Sequence, residues 1–454
     1  MTASLPPATP FSQLGIGGML VVSYLVITRI GCLEVAKIGI EIGPIPLFLT
    51  ELFVLAILGV VIASRSQEFI TWLLSGVTAG WAGAFLWLLL LTSIGYCMAA
   101  VGRWGVLAVR DLAIFGYGAV FPLTYIVLDR PEKAATAMRL FSYSGIVLAL
   151  ALIGDTVSGL HVLFPPLRRG VEGMGDISSY GGGDVGGVLA FCMAALLAYA
   201  AETSERRLVH LGAAGICFYA IMIGQTRSAT IGLVLAALVI FAGARAAIRF
   251  ALLAAIGMAI MVVIAIPVLA PTSSLARVVL GFLLTLKSAG GVARDGDAYF
   301  RLLRWDAVLD LWRSNPVFGA GFGRPIIPAN LVDPAENGLF NAGLPHNTYL
   351  TILARLGLFG FGLIVIPWIG TIVMALRLMR RRPYGADLFA AGAAMAAMFG
   401  FAAFVLFLER PMHSAALWMV AAIAARLAQT SAAPAASVDP FAHARRIAYN
   451  KGYR

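Results

Sequence analysis

The sequence predicts an all-α, polytopic integral membrane protein of about 12 transmembrane helices, on three observations. Of its 454 residues, 60% are hydrophobic and only 12% are charged, and the mean hydropathy is +0.91. That balance excludes a soluble domain. The second observation is the recurrence of apolar runs of spanning length, since a helix needs roughly 20 apolar residues to cross the hydrocarbon core. Twelve such runs stand near 14–30, 46–63, 78–98, 105–128, 139–154, 186–201, 208–223, 228–244, 250–269, 348–376, 386–407 and 412–428. The third is a single long polar interruption, 270–345. It divides the chain into nine spans in 1–269, a loop domain in 270–345, three spans in 346–428 and a basic tail in 429–454.

Basic residues in short loops set the orientation. With the N-terminus inside, the inner loops carry Arg65, then Arg130, Lys133 and Arg139, then Arg206 and Arg207, then Arg245 and Arg249. Arg377, Arg380, Arg381 and Arg382 follow, and the tail holds Arg426, Arg445, Arg446, Lys451 and Arg454. Twelve spans then leave both termini inside and the 270–345 loop outside. Residues 1–13 hold no Lys or Arg, so a removable signal peptide is not expected. Cys32, Cys97, Cys192 and Cys217 lie in or beside apolar runs without paired spacing, which reads as packing rather than metal or disulfide chemistry.

In chain order, the first outer loop holds Glu34, Lys37 and Glu41, which read as solvated charges. Arg110 and Asp111 stand within the fourth run. Adjacent helical residues do not face each other, so a direct pair is not implied, and the two charges serve either the bundle or a site. The loop 155–185 carries Arg168, Arg169 and the run SSYGGGDVGG, read as a flexible loop rather than a phosphate cradle. GQTRSATIG places Arg227 in a short outer turn, against the usual bias of basic residues. Its guanidinium either snorkels or binds an anion, for which its planar fork is suited.

The outer loop is rich in cations, with Arg277, Lys287, Arg294, Arg301, Arg304, Arg313 and Arg324. They imply an anionic partner. Residues 298–313 read as an amphipathic helix, with Arg301, Trp305, Val308, Leu309 and Trp312 on one side and Asp306, Asp310 and Arg313 on the other. Two tryptophans on the apolar side suit a helix at the membrane interface. Arg301 and Arg304, three apart, can reach one anion together. Asp295 and Asp297 precede this helix; Asp297 reads as an N-cap, with a divalent metal site as the competing reading. NPVFGAGFGRP then reads as a tight turn able to bring amides near a ligand.

The loop ends in PHNTYLTILARLG, where His346 meets the next span. His346, Leu350, Leu353 and Gly357 share one helical stripe. The positive end of that helix attracts anions and disfavours protonation of a nearby imidazole. His346 is therefore either a cap or a neutral base. Arg355, on the opposite face, reads as an interfacial anchor. Finally, LERPMHS places Glu409, Arg410 and His413 in a short outer turn.

These residues resemble the O-antigen ligase and O-antigen or exopolysaccharide polymerase superfamily, membrane-embedded glycosyltransferases. Three patterns carry the resemblance: Arg227 at an outer turn before an apolar run, with Ile231 where the family usually has Leu; Arg301, Trp305, Pro316, Gly319 and Gly321 in the outer loop; and His346, Asn347, Leu350 and Gly357 opening a helix. The resemblance implies inverting transfer of a glycan from undecaprenyl diphosphate to an acceptor hydroxyl, on lipid A-core or a lipid-linked repeat unit, at the periplasmic face of the bacterial inner membrane. It implies His346 as the catalytic base, Arg227, Arg301 and Arg304 as diphosphate ligands, and Asn347, Trp305 and Gly321 as supporting residues. No metal, cofactor or nucleic-acid partner is implied; membrane lipids are. The alternative is a secondary transporter or flippase of lipid-linked oligosaccharide, which the 9+3 layout without matching halves argues against.

Overall fold

The computed structural model describes residues 14–30, 39–42, 45–76, 80–160, 163–164, 166–171, 175–180, 182–249, 296–332 and 344–429, with isolated positions between 261 and 283. Eleven of the twelve apolar runs fall in described helices; the run 250–269, like Cys32 and Asp295, lies outside the described residues. Among those described, nine helices are long and apolar enough to cross a membrane, and Gly15–Thr28 and Arg227–Gly243 are shorter apolar helices. The protein is an all-α polytopic membrane protein, to which two small β-hairpins are added.

The chain opens with α1 (Gly15–Ile30), a hairpin of β1 (Gly39–Ile42) and β2 (Ile45–Phe48), then α2 (Leu49–Ser75) and α3 (Gly80–Trp104). The hairpin pairs Gly39 with Phe48 in antiparallel register. Where the apolar run at 46–63 predicts a span ending near 63, α2 continues to Ser75, kinked at Arg65 (φ −143°). At the kink Arg65 pairs with Glu68 at 2.7 Å and with Asp129 at 2.5 Å.

α4 (Val106–Gly116) and α5 (Val120–Val127) form one span broken by a 3₁₀ turn at Tyr117–Ala119. α6 (Pro131–Ser158) starts with Pro131, whose missing N–H costs nothing in a first turn, and ends at Gly159 in the left-handed region. β3 (Pro166–Val171) and β4 (Gly175–Tyr180) form the second hairpin. Then come α7 (Gly182–Glu202), α8 (Arg207–Gly224), α9 (Arg227–Gly243), α10 (Gly296–Ser314), α11 (Thr348–Leu378), α12 (Gly385–Ala402) and α13 (Pro411–Ala428).

The core sits around α12, which packs against α7, α9, α11 and α13. Its sequence AAGAAMAAM explains that position. Lipid tails are as apolar as any side chain, so helices associate in a membrane by close packing, which small residues permit. Ala390, Ala391, Ala393, Ala394 and Ala397 are fully buried there. Cys97, Cys192 and Cys217 are buried free thiols, as packing residues would be.

The flexible-loop reading of SSYGGGDVGG is corrected from Gly182 onward, because those glycines open α7. A Cβ on Gly186 would lie 2.3 Å from Thr226 Oγ1, and one on Gly187 2.4 Å from the Phe401 ring. The glycines serve close helix approach, and they bring the first turn of α7 against the residue preceding Arg227.

Candidate active site

One end of the bundle gathers the N-termini of α7, α9, α11 and α13, the loop 403–410 and α10. α11 begins properly. Asn347 is its N-cap (φ −151°), and its side chain accepts from Leu350 N at 3.2 Å, satisfying one of the amides a helix start leaves without partners. His346 therefore stands one residue before the cap rather than in the first turn. It is half-buried, with φ 52° in the left-handed region that non-glycine residues seldom occupy. The other described non-glycine residue with positive φ, Gln225 (φ 49°), closes α8 two residues before Arg227. Strain of this kind persists where the surroundings over-determine it, often at functional sites.

What holds His346 in place comes from α10. Trp305 Nε1 donates to the Pro345 carbonyl at 2.7 Å, and its ring lies against Phe404. Arg304 donates from Nε to Leu331 O at 2.8 Å and from a terminal nitrogen to Leu344 O at 3.5 Å, over the Phe300 ring. At 1% exposure it is buried. The expectation that it reaches a shared anion with Arg301 is thus corrected: its guanidinium is turned inward, where a buried cation needs acceptors, and binds the loop leading to His346. The tryptophans likewise tie the chain; Trp312 Nε1 donates to Pro316 O at 3.0 Å. Beneath them Val308, Ile326, Ile327, Leu344, Ala354 and Leu406 form a separate small core.

Arg301 lies half-buried and donates to Phe404 O at 3.1 Å. The neighbouring carbonyl, Val405 O, accepts from Thr348 Oγ1 at 3.2 Å. Thr348, in the first turn of α11, also contacts Glu409 Oε2 at 2.8 Å and accepts from Phe407 N at 2.8 Å. The loop 403–410 thus links Arg301 to the helix that His346 precedes. Burial raises the Glu409 carboxyl above the usual carboxylate range, with hydrogen bonds from Thr351 and Thr348 opposing the rise. On the far side, Arg410 pairs with buried Asp184, which also contacts His413 Nε2 at 3.1 Å. His413 is fully buried and stacks on Phe407, ring centroids 5.4 Å apart. Arg227, half-buried, opens α9 beside the α7 turn that carries Asp184.

The turn 316–321 serves α11 rather than a ligand. α11 breaks at Gly357 (φ 63°, ψ −163°), and the carbonyls freed at Ala354 and Arg355 accept from Ala320 N at 2.7 Å and Gly321 N at 3.2 Å. In return Leu358 N and Phe359 N donate to Pro316 O and Val317 O. A Cβ on Gly357 would sit 2.3 Å from Val317 O, and one on Gly319 2.6 Å from the Arg355 carbonyl carbon. Only glycine fits such a backbone-on-backbone contact. The amides proposed for a ligand are therefore already engaged, and Gly357 breaks the helical stripe that the sequence runs through it.

Two further readings are corrected below this turn. Arg110 and Asp111 do pair, at 2.9 Å, because the long guanidinium folds back along the helix. Arg355 is no interfacial anchor: it is 1% exposed, lies 3.0 Å from Asp111 Oδ2 and donates to the carbonyls of Gly321 and Arg324. Gly323 N completes the set at 2.7 Å from Asp111. Asp297 is described by its backbone alone, in the first turn of α10. No group of three or more His, Cys, Asp or Glu able to hold a metal occurs among the described residues.

Residues 212–365 match the family model described as O-antigen ligase. The match is a similarity of that stretch to the O-antigen ligase family. It covers 154 of the 454 residues and includes Arg227, Arg301, Arg304, Trp305, Gly321, His346 and Asn347. The match supports the resemblance to the ligase and polymerase superfamily, and with it an enzyme in a multi-pass membrane protein acting on lipid-linked glycan and acceptor substrates. No curated protein matches the chain. Asp184, Thr348, Glu409 and Arg410 come near these residues only through tertiary contacts. The one sequence signal was the density of charge in LERPMHS, within an otherwise apolar stretch.

Proposed function

We propose that this protein transfers a glycan from undecaprenyl diphosphate to an acceptor hydroxyl, with inversion at the anomeric carbon, at the periplasmic face of the inner membrane. The supporting observation is the placement of His346. It lies in a left-handed conformation just ahead of a helix N-terminus, on a strand of chain clamped by Arg304 and Trp305 from the helix that also carries Arg301.

The acceptor hydroxyl oxygen attacks the anomeric carbon while the bond from that carbon to the diphosphate oxygen breaks. The hydroxyl proton passes to the His346 imidazole, which acts as general base. General-base help of this kind supplies about 10²–10⁴ in rate. Charge grows on the departing diphosphate, and Arg227 and Arg301 stabilise it there; Arg304 acts by positioning the His346 segment. A diphosphate leaves well without a general acid, so the paired carboxylates of a glycosidase are not required.

The test is transfer by the purified, membrane-reconstituted protein from a lipid-diphosphate glycan of known anomeric configuration, assayed with and without chelator. Inverted product and full activity in chelator are expected, with Arg227→Gln and Arg301→Gln using the donor poorly. Retained configuration, or normal donor use by both variants, would contradict the reading. A product on lipid A-core identifies a ligase, and lengthened lipid-linked chains a polymerase.

A further inference from the structure

Arg410 has no part in the site as derived so far, yet its surroundings are those of a binding residue. It lies on the loop 403–410, six residues from the carbonyl that Arg301 holds and directly after Glu409. One terminal nitrogen pairs with Asp184, and Asp184 is in turn fixed by buried His413, which is stacked on Phe407. The side chain as a whole is nevertheless 43% exposed. Among the described residues its Nε and second terminal nitrogen have no acceptor. A planar fork with one edge anchored and the other edge open presents parallel N–H groups of the kind that grip oxyanions.

The position adds a second, independent indication. Asp184 stands in the first turn of α7, and two residues on, Gly186 packs against Thr226, which immediately precedes Arg227. The α7 turn therefore holds Arg410 on one side and the start of Arg227's helix on the other. Three arginines from three separate segments, Arg227, Arg301 and Arg410, are gathered by the α7 turn and one loop.

Resting on the glycan-transfer reading above, we propose that Arg410 is an oxyanion-binding residue of the same site, held in place by Asp184 and His413, and that it takes a phosphate-class group of the substrate. The group belongs either to the diphosphate of the lipid donor or to a phosphate on the acceptor. Asp184 and His413 are positioning residues, and they act through Arg410.

Binding of farnesyl diphosphate, as a lipid-diphosphate probe, to the full-length protein in detergent tests this directly. Arg410→Gln is expected to weaken binding about tenfold, the loss of one charge-assisted contact. Arg410→Lys should recover part of it by restoring the charge, and Asp184→Asn should weaken binding less than Arg410→Gln. Unliganded thermal midpoints are expected to be alike for Arg410→Gln and Arg410→Lys. Unchanged probe affinity with a raised KM only for phosphate-bearing acceptors would assign the group to the acceptor and uphold the site. Wild-type behaviour of Arg410→Gln in both arms would overturn it. So would a lysine variant as weak as the glutamine one with both midpoints lowered, the mark of a purely structural ion pair. Arg227→Gln and Arg301→Gln separate the two levels: normal binding by those variants sinks the glycan-transfer reading itself, whereas weak binding by them beside normal Arg410→Gln removes only the Arg410 assignment.

Discussion

Asp111 and Asp184 are two buried carboxylates, each bound by an arginine from another part of the chain, and their surroundings differ in one respect. Around Asp111 every group turns inward. Arg110, Arg355 and Gly323 N converge on it, and Arg355 spends its remaining donors on the carbonyls of Gly321 and Arg324. That cluster ties α4 to the broken α11 and to the turn after α10. Around Asp184 the arginine keeps an open edge, and the neighbouring cations come from segments that also border His346. A carboxylate saturated by buried donors builds scaffold. One whose cation still faces outward can hold a substrate. The first accounts for how the α11 break is tied in place, and the second for the charge on a loop of an otherwise apolar chain.

The comparison breaks most readily at Asp111. Asp111→Ala would leave two buried guanidinium groups without their carboxylate, a loss of about 3–5 kcal/mol. It should be seen as a collapsed yield of folded protein or a sharply lowered thermal midpoint. A stable, active variant would show that the inward cluster is not scaffold. Gly357→Ala is expected to cost about 1–3 kcal/mol, because its φ of 63° disfavours a side chain and Val317 O occupies the space. An unchanged melting curve would contradict the backbone-on-backbone contact. Trp305→Phe keeps an aromatic side chain but loses the bond to Pro345 O, about 1 kcal/mol, together with part of the indole's packing on Phe404. The sharper consequence lies in kcat, which should fall while donor KM holds, since the His346 segment loses a tether.

The smallest effect concerns Glu409. Its folded-state pKa is raised by burial above the unfolded value. Between the ordinary carboxylate range and that raised value the folded chain binds more protons than the unfolded chain, so stability falls as pH rises through that window. Glu409→Gln removes this slope. The variant should match the wild type below the carboxylate range and exceed it slightly at pH 7, as read from melting midpoints across pH. A wild-type slope in the variant would place the titration elsewhere.

The spans were legible because the apolar runs are long and the membrane allows few alternatives to a helix. The start of a helix just after His346 was legible because helix entry is a local signal. Arg355 was not, since helical geometry gave its face but not the acid on another helix that waits there. Arg304 shows the same limit: spacing put it beside Arg301, while only the fold shows the carbonyls of Leu331 and Leu344 that claim it. Asp184 was hidden by its glycines, which read as flexibility until Thr226 and Phe401 appear against them.

The most direct measurement is single-turnover glycan transfer by His346→Ala, alongside farnesyl diphosphate binding and melting of the same preparation. Transfer should drop by about 10²–10⁴, with donor binding and thermal midpoint close to wild type. Transfer within a few-fold of wild type by a folded, donor-binding His346→Ala protein would contradict the assignment of His346 as the base.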